Sequence, residues 1–145
     1  MTADPVKSLI DAALAVDIGP GDITTELLIP LEAAGVGTII AKEELVVAGL
    51  HVARQVFARL DPAVRFDPAR ADGDVVAAGT AAAVILGPLR ALLTGERTAL
   101  NFLQRLSGIA TQTRAYVSAL GTGRAVLVDT RKTTPGWRYL EMYAV

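Results

Sequence analysis

The run Ala125-Val-Leu-Val-Asp-Thr-Arg-Lys-Thr-Thr-Pro-Gly136 decides how the rest of the chain is read. Ala125–Val128 are all apolar and half of them β-branched, the pattern of a short strand buried on both faces, as in parallel sheets. From Asp129 the apolar run gives way to hydroxyls and two adjacent cations, closed by Pro135-Gly136. In barrels and doubly wound sheets, binding groups collect at the carboxyl ends of buried strands. Arg131 supplies a planar fork for carboxylate or phosphate, and Lys132 a mobile point charge for phosphate. Residue types alone allow two readings: an anion-binding strand end, or a solvated turn with two surface charges.

Upstream of this run the period is helical. From Leu89 to about Leu106, Leu89, Leu92, Leu93, Leu100 and Leu103 gather on one face at ~100° per residue. Glu96 falls within that face, where a carboxylate is costly to desolvate unless paired, so an ion pair is expected there. Arg97 lies at the border of the face, four residues before Asn101, and is a candidate to point into a neighbouring site. Ser107-Gly108 is expected to weaken or kink the helix, which resumes over Ala110–Leu120 and stops at Gly121-Thr-Gly123. Downstream, a helix is expected from Trp137. It reaches Val145 with no stop signal. Ile109–Val145 has room for about one βα unit of ~30 residues, whereas a closed eight-stranded barrel needs ~200 or more.

The first part of the chain reads as a small α+β unit with a mostly antiparallel sheet. Asp4 can cap a helix with Pro5 at its first position, and Val6, Leu9, Ile10, Ala13 and Leu14 form its apolar face. The loop Asp17-Ile-Gly-Pro-Gly-Asp-Ile-Thr-Thr25 follows; its two aspartates could bind a cation or hydrogen-bond their own backbone. Strand character marks Gly37–Ala41, Leu45–Ala48, Val64–Phe66, Asp74–Ala78 and Ala81–Leu86, with a helix over His51–Leu60. Asp72-Gly73 favours a hairpin. His51, the single histidine, sits near a helix start, where capping or packing is the default role.

Composition narrows the classes. The 145 residues are 52% hydrophobic with a net charge of −1, and the mean hydropathy is +0.42, which excludes disorder. With no long basic or acidic block, binding to nucleic acid or membrane through general electrostatics is not expected, so any anion site must be local. The absence of cysteine removes disulfide and thiol chemistry, and one histidine makes a zinc site unfavourable. Met1–Lys7 lacks a signal-peptide layout, and no apolar run has the ~18 residues needed to span a bilayer. A soluble, cytoplasmic protein is expected. P-loop, GxSxG and GxGxxG patterns are missing.

Three segments together resemble the quinolinate phosphoribosyltransferase family: Asp17–Thr25, Gly95-Glu-Arg-Thr-Ala-Leu-Asn-Phe-Leu-Gln-Arg-Leu-Ser-Gly-Ile-Ala-Thr111, and Asp129–Gly136, with Ala41-Lys-Glu43 and Ala48-Gly49 between them. The resemblance runs through the whole chain but covers only about the first half of such an enzyme. It implies an α/β-hammerhead-like N-terminal domain with its connecting helix over residues 1–108, and the opening βα unit of an incomplete α/β barrel over 109–145. It also implies a homodimer with a site shared between subunits. Arg97 resembles the arginine that reaches the pyridine dicarboxylate from the partner subunit. Thr130, Arg131 and Lys132 resemble the strand-end residues for quinolinate and phosphoribosyl pyrophosphate, the latter carrying Mg²⁺. The implied activity is phosphoribosyl transfer to quinolinate with decarboxylation, in NAD biosynthesis. The family's later His-Arg pair, further lysine, acidic residues and glycine-rich phosphate loops are not in these residues, so no complete catalytic set is expected and the 145 residues alone should be inactive. Met142 departs from the lysine common at its position. Two other readings stand beside this one: a non-catalytic dimerising or substrate-capturing module, and a phosphoribosyltransferase-like protein of the molybdenum-transport type.

Overall fold

A computed structural model describes residues 4–145; Met1–Ala3, part of the polar N-terminal stretch noted above, lie outside the described residues. The architecture is α+β with open sheets. In chain order the elements are α1 (Pro5–Ile18), α2 (Ile23–Leu28), β1 (Ala34–Ile40), β2 (Leu45–Val46), α3 (Leu50–Leu60), β3 (Arg65–Pro68), β4 (Val75–Val76), β5 (Ala81–Pro88), α4 (Leu89–Leu120) and α5 (Arg138–Tyr143).

Helix α1 starts as its sequence directs. The Asp4 carboxylate accepts from Val6 N at 3.0 Å, Pro5 occupies the first turn, and Val6, Ile10 and Leu14 are buried. The loop expected over Asp17–Thr25 is shorter in the structure. Asp17 and Ile18 finish α1, and Asp22 caps α2 by accepting from Thr25 N at 3.1 Å. An Asp-x-x-Thr start satisfies an otherwise orphaned helix N–H, which is how α2 forms directly after Gly19-Pro20-Gly21.

Strand β5 is the centre of an antiparallel sheet ordered β1-β5-β3, and β2 pairs with β4 in a second, two-stranded sheet. The Asp72-Gly73 turn therefore joins strands of different sheets and makes no hairpin. Its neighbours have better partners: β3 lies along β5, from Arg65 opposite Leu86 to Pro68 opposite Ala83. Helix α3 packs its Val52, Val56 and Phe57 into the core with α1 and α4.

Helix α4 is the spine, 32 residues long. Its buried stripe is Ala91, Leu92, Gly95, Thr98, Ala99, Phe102, Leu103, Leu106 and Ser107. Glu96 is exposed and takes part in none of the ion pairs among the described residues. The leucine-only face misplaced it, because three members of the true stripe (Gly95, Thr98 and Ser107) are not hydrophobic, while Leu93 lies outside. Gly95 lets α3 and α4 approach closely: a Cβ there would meet Leu60 Cδ1 at 2.8 Å and the Phe57 ring at 2.9 Å. That close approach offsets the ~1 kcal/mol a mid-helix glycine costs.

The helix is not broken at Ser107-Gly108. Ser107 Oγ accepts from Ala48 N at 3.0 Å and donates to Ala48 O at 3.3 Å, and Thr111 Oγ1 accepts from Val46 N at 2.9 Å. Two hydroxyls of one helix thus complete the hydrogen bonding of the β2 segment, so Ser107 holds its turn in place. Gly49, which precedes α3, has φ +98°, and a Cβ there would lie 2.6 Å from Leu106 Cδ1.

The strand expected at Ala125–Val128 is absent. These residues carry no regular secondary structure, and Val126 and Val128 are 81% and 77% exposed. Strand geometry needs a hydrogen-bonded neighbour, and no described strand pairs with this segment. Helix α5 does follow, one residue after Trp137, and seats Leu140 in the core.

Candidate functional site

Thr130, Arg131 and Lys132 are exposed at the start of the turn that leads to α5. Lys132 N donates to Thr130 Oγ1 at 3.2 Å, a local turn bond. Among the described residues neither the Arg131 nor the Lys132 side chain joins an ion pair. Thr130 and Lys132 line a cavity of about 340 Å³, together with Asp129, Arg105 and Glu141. The structure thus places Thr130 and Lys132 on a cavity, though without the strand, while Arg131 is exposed between them and does not line it.

Beneath this segment lies a tighter polar cluster. Arg105, projecting from α4, donates from Nε to Glu141 Oε1 at 3.0 Å, and its Nη2 donates to Glu141 and to Thr134 Oγ1. The second Glu141 oxygen accepts from Thr134 N at 3.0 Å. Burial pushes the Glu141 carboxyl up, but the bonds from Arg105 and Thr134 outweigh it and hold it below the usual carboxylate range. The Arg105 guanidinium lies 5.2 Å from the centre of the Trp137 ring, which stacks on Phe102 at 4.9 Å.

Arg97 is elsewhere. Its Nη1 donates to Asp17 Oδ1 at 2.8 Å, while Thr98 Oγ1 donates to the other Asp17 oxygen at 3.0 Å. The Arg97 side chain is 75% exposed and that of Asp17 only 18%, so the carboxylate is an anchored base from which the guanidinium reaches outward. Asp17, Asp22, Thr94 and Arg97 line a separate cavity of about 290 Å³. There the Asp22 carboxyl is held low, first by its bonds with Thr25 and then by Thr94 Oγ1, which donates at 2.9 Å. The two loop aspartates are therefore committed to an arginine, three threonines and a helix start. Arg97 lines one cavity of this chain and Thr130 and Lys132 another, so they are not brought together within it.

His51 faces Asp72, with Nδ1 at 3.3 Å from Oδ2, and packs edge-on against Tyr143 with ring centres 4.8 Å apart. Tyr143 Oη donates to Asp72 at 2.6 Å, and Leu50 N donates to the other Asp72 oxygen at 3.0 Å. Burial pushes Asp72 up, yet these bonds hold it low overall; burial and the neighbouring carboxylate push the Tyr143 phenol up to about 12. Here Asp72 caps α3, whose own N-cap, Gly49, has no side chain to do so. Of the capping and packing roles expected for His51, packing is the one observed, and the capping falls to Asp72.

No group of three or more His, Asp or Glu side chains suited to a metal ion occurs among the described residues. None of their helices is long and apolar enough to cross a membrane.

An α+β unit docked on a long helix, followed by an exposed Thr-Arg-Lys turn, is half of a phosphoribosyltransferase-type arrangement when set beside known proteins. Residues 22–107 match the description "Quinolinate phosphoribosyl transferase, N-terminal domain", and residues 109–145 match its C-terminal counterpart. The chain belongs to the quinolinate phosphoribosyltransferase family. It is 50% identical to a probable nicotinate-nucleotide pyrophosphorylase (carboxylating) of Synechocystis over 99% of this chain and 50% of that protein. A Bacillus subtilis protein of the same description is 43% identical over 97% of this chain and 48% of its own length. Among solved structures, NadC from Streptococcus pyogenes superposes with a TM-score of 0.93 at 42% identity, covering 99% of this chain and 51% of that one. The chain spans about half the length of the relatives it matches.

Proposed function

We propose that this chain is the N-terminal portion of a quinolinate phosphoribosyltransferase, with residues 1–108 forming the N-terminal domain and its connecting helix and 109–145 the opening of the catalytic barrel. Support comes from the two family matches, which divide at the same place. The observation that carries the reading is the adjacent cations Arg131 and Lys132, which join no ion pair among the described residues, in a chain 50% identical to a probable pyrophosphorylase of this family.

The reaction would use those charges to bind and orient. The quinolinate ring nitrogen attacks the anomeric carbon of phosphoribosyl pyrophosphate, the carbon–oxygen bond breaks, and pyrophosphate leaves with the electron pair. The carboxylate beside the ring nitrogen is then lost as CO₂. The electron pair left on the ring is stabilised by the adjacent pyridinium charge and takes up a proton, giving nicotinate mononucleotide. Arg131 would hold a carboxylate bidentately and Lys132 would neutralise phosphate. Thr130 would orient the same ligand by hydrogen bonding. Arg97 would serve the site of a second copy in a homodimer, which accords with its outward reach. Mg²⁺ would arrive with the donor's pyrophosphate. On this account the protein contributes alignment and charge stabilisation and no covalent nucleophile.

The test joins residues 1–145 to the remaining half of the Streptococcus pyogenes protein and follows nicotinate mononucleotide formation from quinolinate, phosphoribosyl pyrophosphate and Mg²⁺. Turnover that falls at least a hundredfold in Arg131→Ala and Lys132→Ala is expected. A folded, dimeric chimera with no turnover refutes the reading. The 145 residues alone should give no product.

A further inference from the structure

We propose that Arg105 is a positioning residue that presents the Thr130–Lys132 segment to its anionic ligand; the role rests on the function proposed above. The segment is exposed throughout, and its own bonds are weak. One is the local Lys132–Thr130 turn bond, and the other is a 3.4 Å donation from Arg138 to the Arg131 carbonyl. Nothing in either bond ties it to the core.

The tie is two residues further on. Thr134 is gripped from both sides, its hydroxyl by Arg105 and its backbone N–H by Glu141, and Arg105 also binds Glu141 directly. Only a guanidinium can do this, because it donates from Nε and Nη2 in one plane while its flat face covers Trp137. Trp137 in turn stacks on Phe102, which is 1% exposed at the centre of the core. A continuous path therefore runs from buried α4 through Arg105 to Thr134 and so to Lys132.

Charge also separates the roles. Arg105 is neutralised by Glu141, whereas among the described residues Arg131 and Lys132 join no ion pair. Arg105 lines the cavity that Thr130 and Lys132 line, and its Nε and Nη2 are committed to Glu141 and Thr134. Through that grip it sets where Arg131 and Lys132 stand.

The test has two arms. In the 145-residue chain, heteronuclear ¹H–¹⁵N NOE values are measured for Thr130, Arg131 and Lys132 in the wild type, Arg105→Ala and Arg105→Lys. Values at these three residues should fall by at least half in Arg105→Ala while those of Val52–Phe57 hold, with Arg105→Lys in between. Unchanged values in a folded Arg105→Ala chain overturn the proposal. Should Arg105→Ala not fold, Thr134→Val, which removes only the accepting hydroxyl, must produce the same loss in smaller measure, and its absence is equally fatal.

In the chimera, Arg105→Ala should raise KM for quinolinate at least fivefold with kcat changed less than twofold, and Arg105→Lys should recover only part of the loss. A purely structural role would lower the amount of folded enzyme and leave KM alone, and that result also overturns the proposal. A wild-type chimera without turnover refutes the functional reading instead, and the NOE arm then decides the positioning role by itself.

Discussion

Replacing Asp72 by alanine probes how the C-terminal helix is fastened to the N-terminal unit. The carboxylate accepts from Leu50 N, from Tyr143 Oη and from His51, and its side chain is 18% exposed. Losing a helix cap costs ~1 kcal/mol. A hydrogen bond to a charged group contributes ~1.5 kcal/mol at the low end. Because Tyr143 is 46% exposed, solvent screening reduces that to ~1 kcal/mol or less. The sum is about 2 kcal/mol, or a fall in Tm of roughly 6 °C for a chain of this size. Tyr143→Phe should cost ~0.5–1 kcal/mol in the wild type and nothing in the Asp72→Ala background, because the partner is already gone.

The pH dependence has a defined sign. Asp72 is held below its ordinary value when folded, so its contribution is complete above its unfolded pKa of ~3.9 and is lost as pH falls through the folded value. Urea unfolding of the wild type and Asp72→Ala at pH 7 should differ by the full amount, and at about pH 2.5 by much less. The reasoning is refuted if the two chains are equally stable at pH 7, or if the gap is the same at both pH values.

Other perturbations follow from the same contacts. Tyr143, raised to about 12 when folded, contributes below its unfolded pKa of ~10 and loses that contribution as pH rises through the folded value; circular dichroism across that range should show an alkaline loss in the wild type that Tyr143→Phe lacks. Gly95→Ala should destabilise by ~1–2 kcal/mol in denaturant melts, since the new Cβ meets the rigid Phe57 ring and overpacking outweighs the gain in helix propensity. Ser107→Ala, which strands the buried Ala48 N–H, should cost ~1–3 kcal/mol by the same measurement. Val126→Lys with Val128→Lys should shift the stability of the 145-residue chain by less than ~0.5 kcal/mol, as expected for exposed positions.

Local signals in the sequence proved readable and long-range ones did not. The Asp4-Pro5 start of α1, the apolar face of α3 and the strand character of β5 are encoded within a few residues and appear where expected. The Asp22–Thr25 cap is equally local, yet Gly19-Pro20-Gly21 drew attention to a loop and concealed α2. Ala125–Val128 has the composition of a buried strand, but composition specifies a preference, and the partner that would realise it is not among these elements. At the site, Arg97, Thr130, Arg131 and Lys132 could be singled out by residue type and resemblance. The Asp17 carboxylate beneath Arg97 is eighty residues away in sequence, and the Arg105–Glu141–Thr134 cluster joins two helices and a turn. No spacing rule announces such contacts. Glu96 shows the reverse error, a charge assigned to the interior because small residues were not counted as part of the buried stripe.

The unbroken helix α4 imposes a condition on sequence length. Arg97 and Arg105 are two turns and a fraction apart on one rod, ~12 Å along the axis and ~80° around it. One holds the end of α1 and the other the turn before α5. Inserting a single residue between them would advance the second arginine by ~1.5 Å and swing it by ~100°, so that only one of the two could keep its partner. Helix α4 therefore works as a ruler, and the interval between these two marks has a fixed length. Beyond Thr113, where every residue of the helix faces solvent, the same insertion would meet no such register.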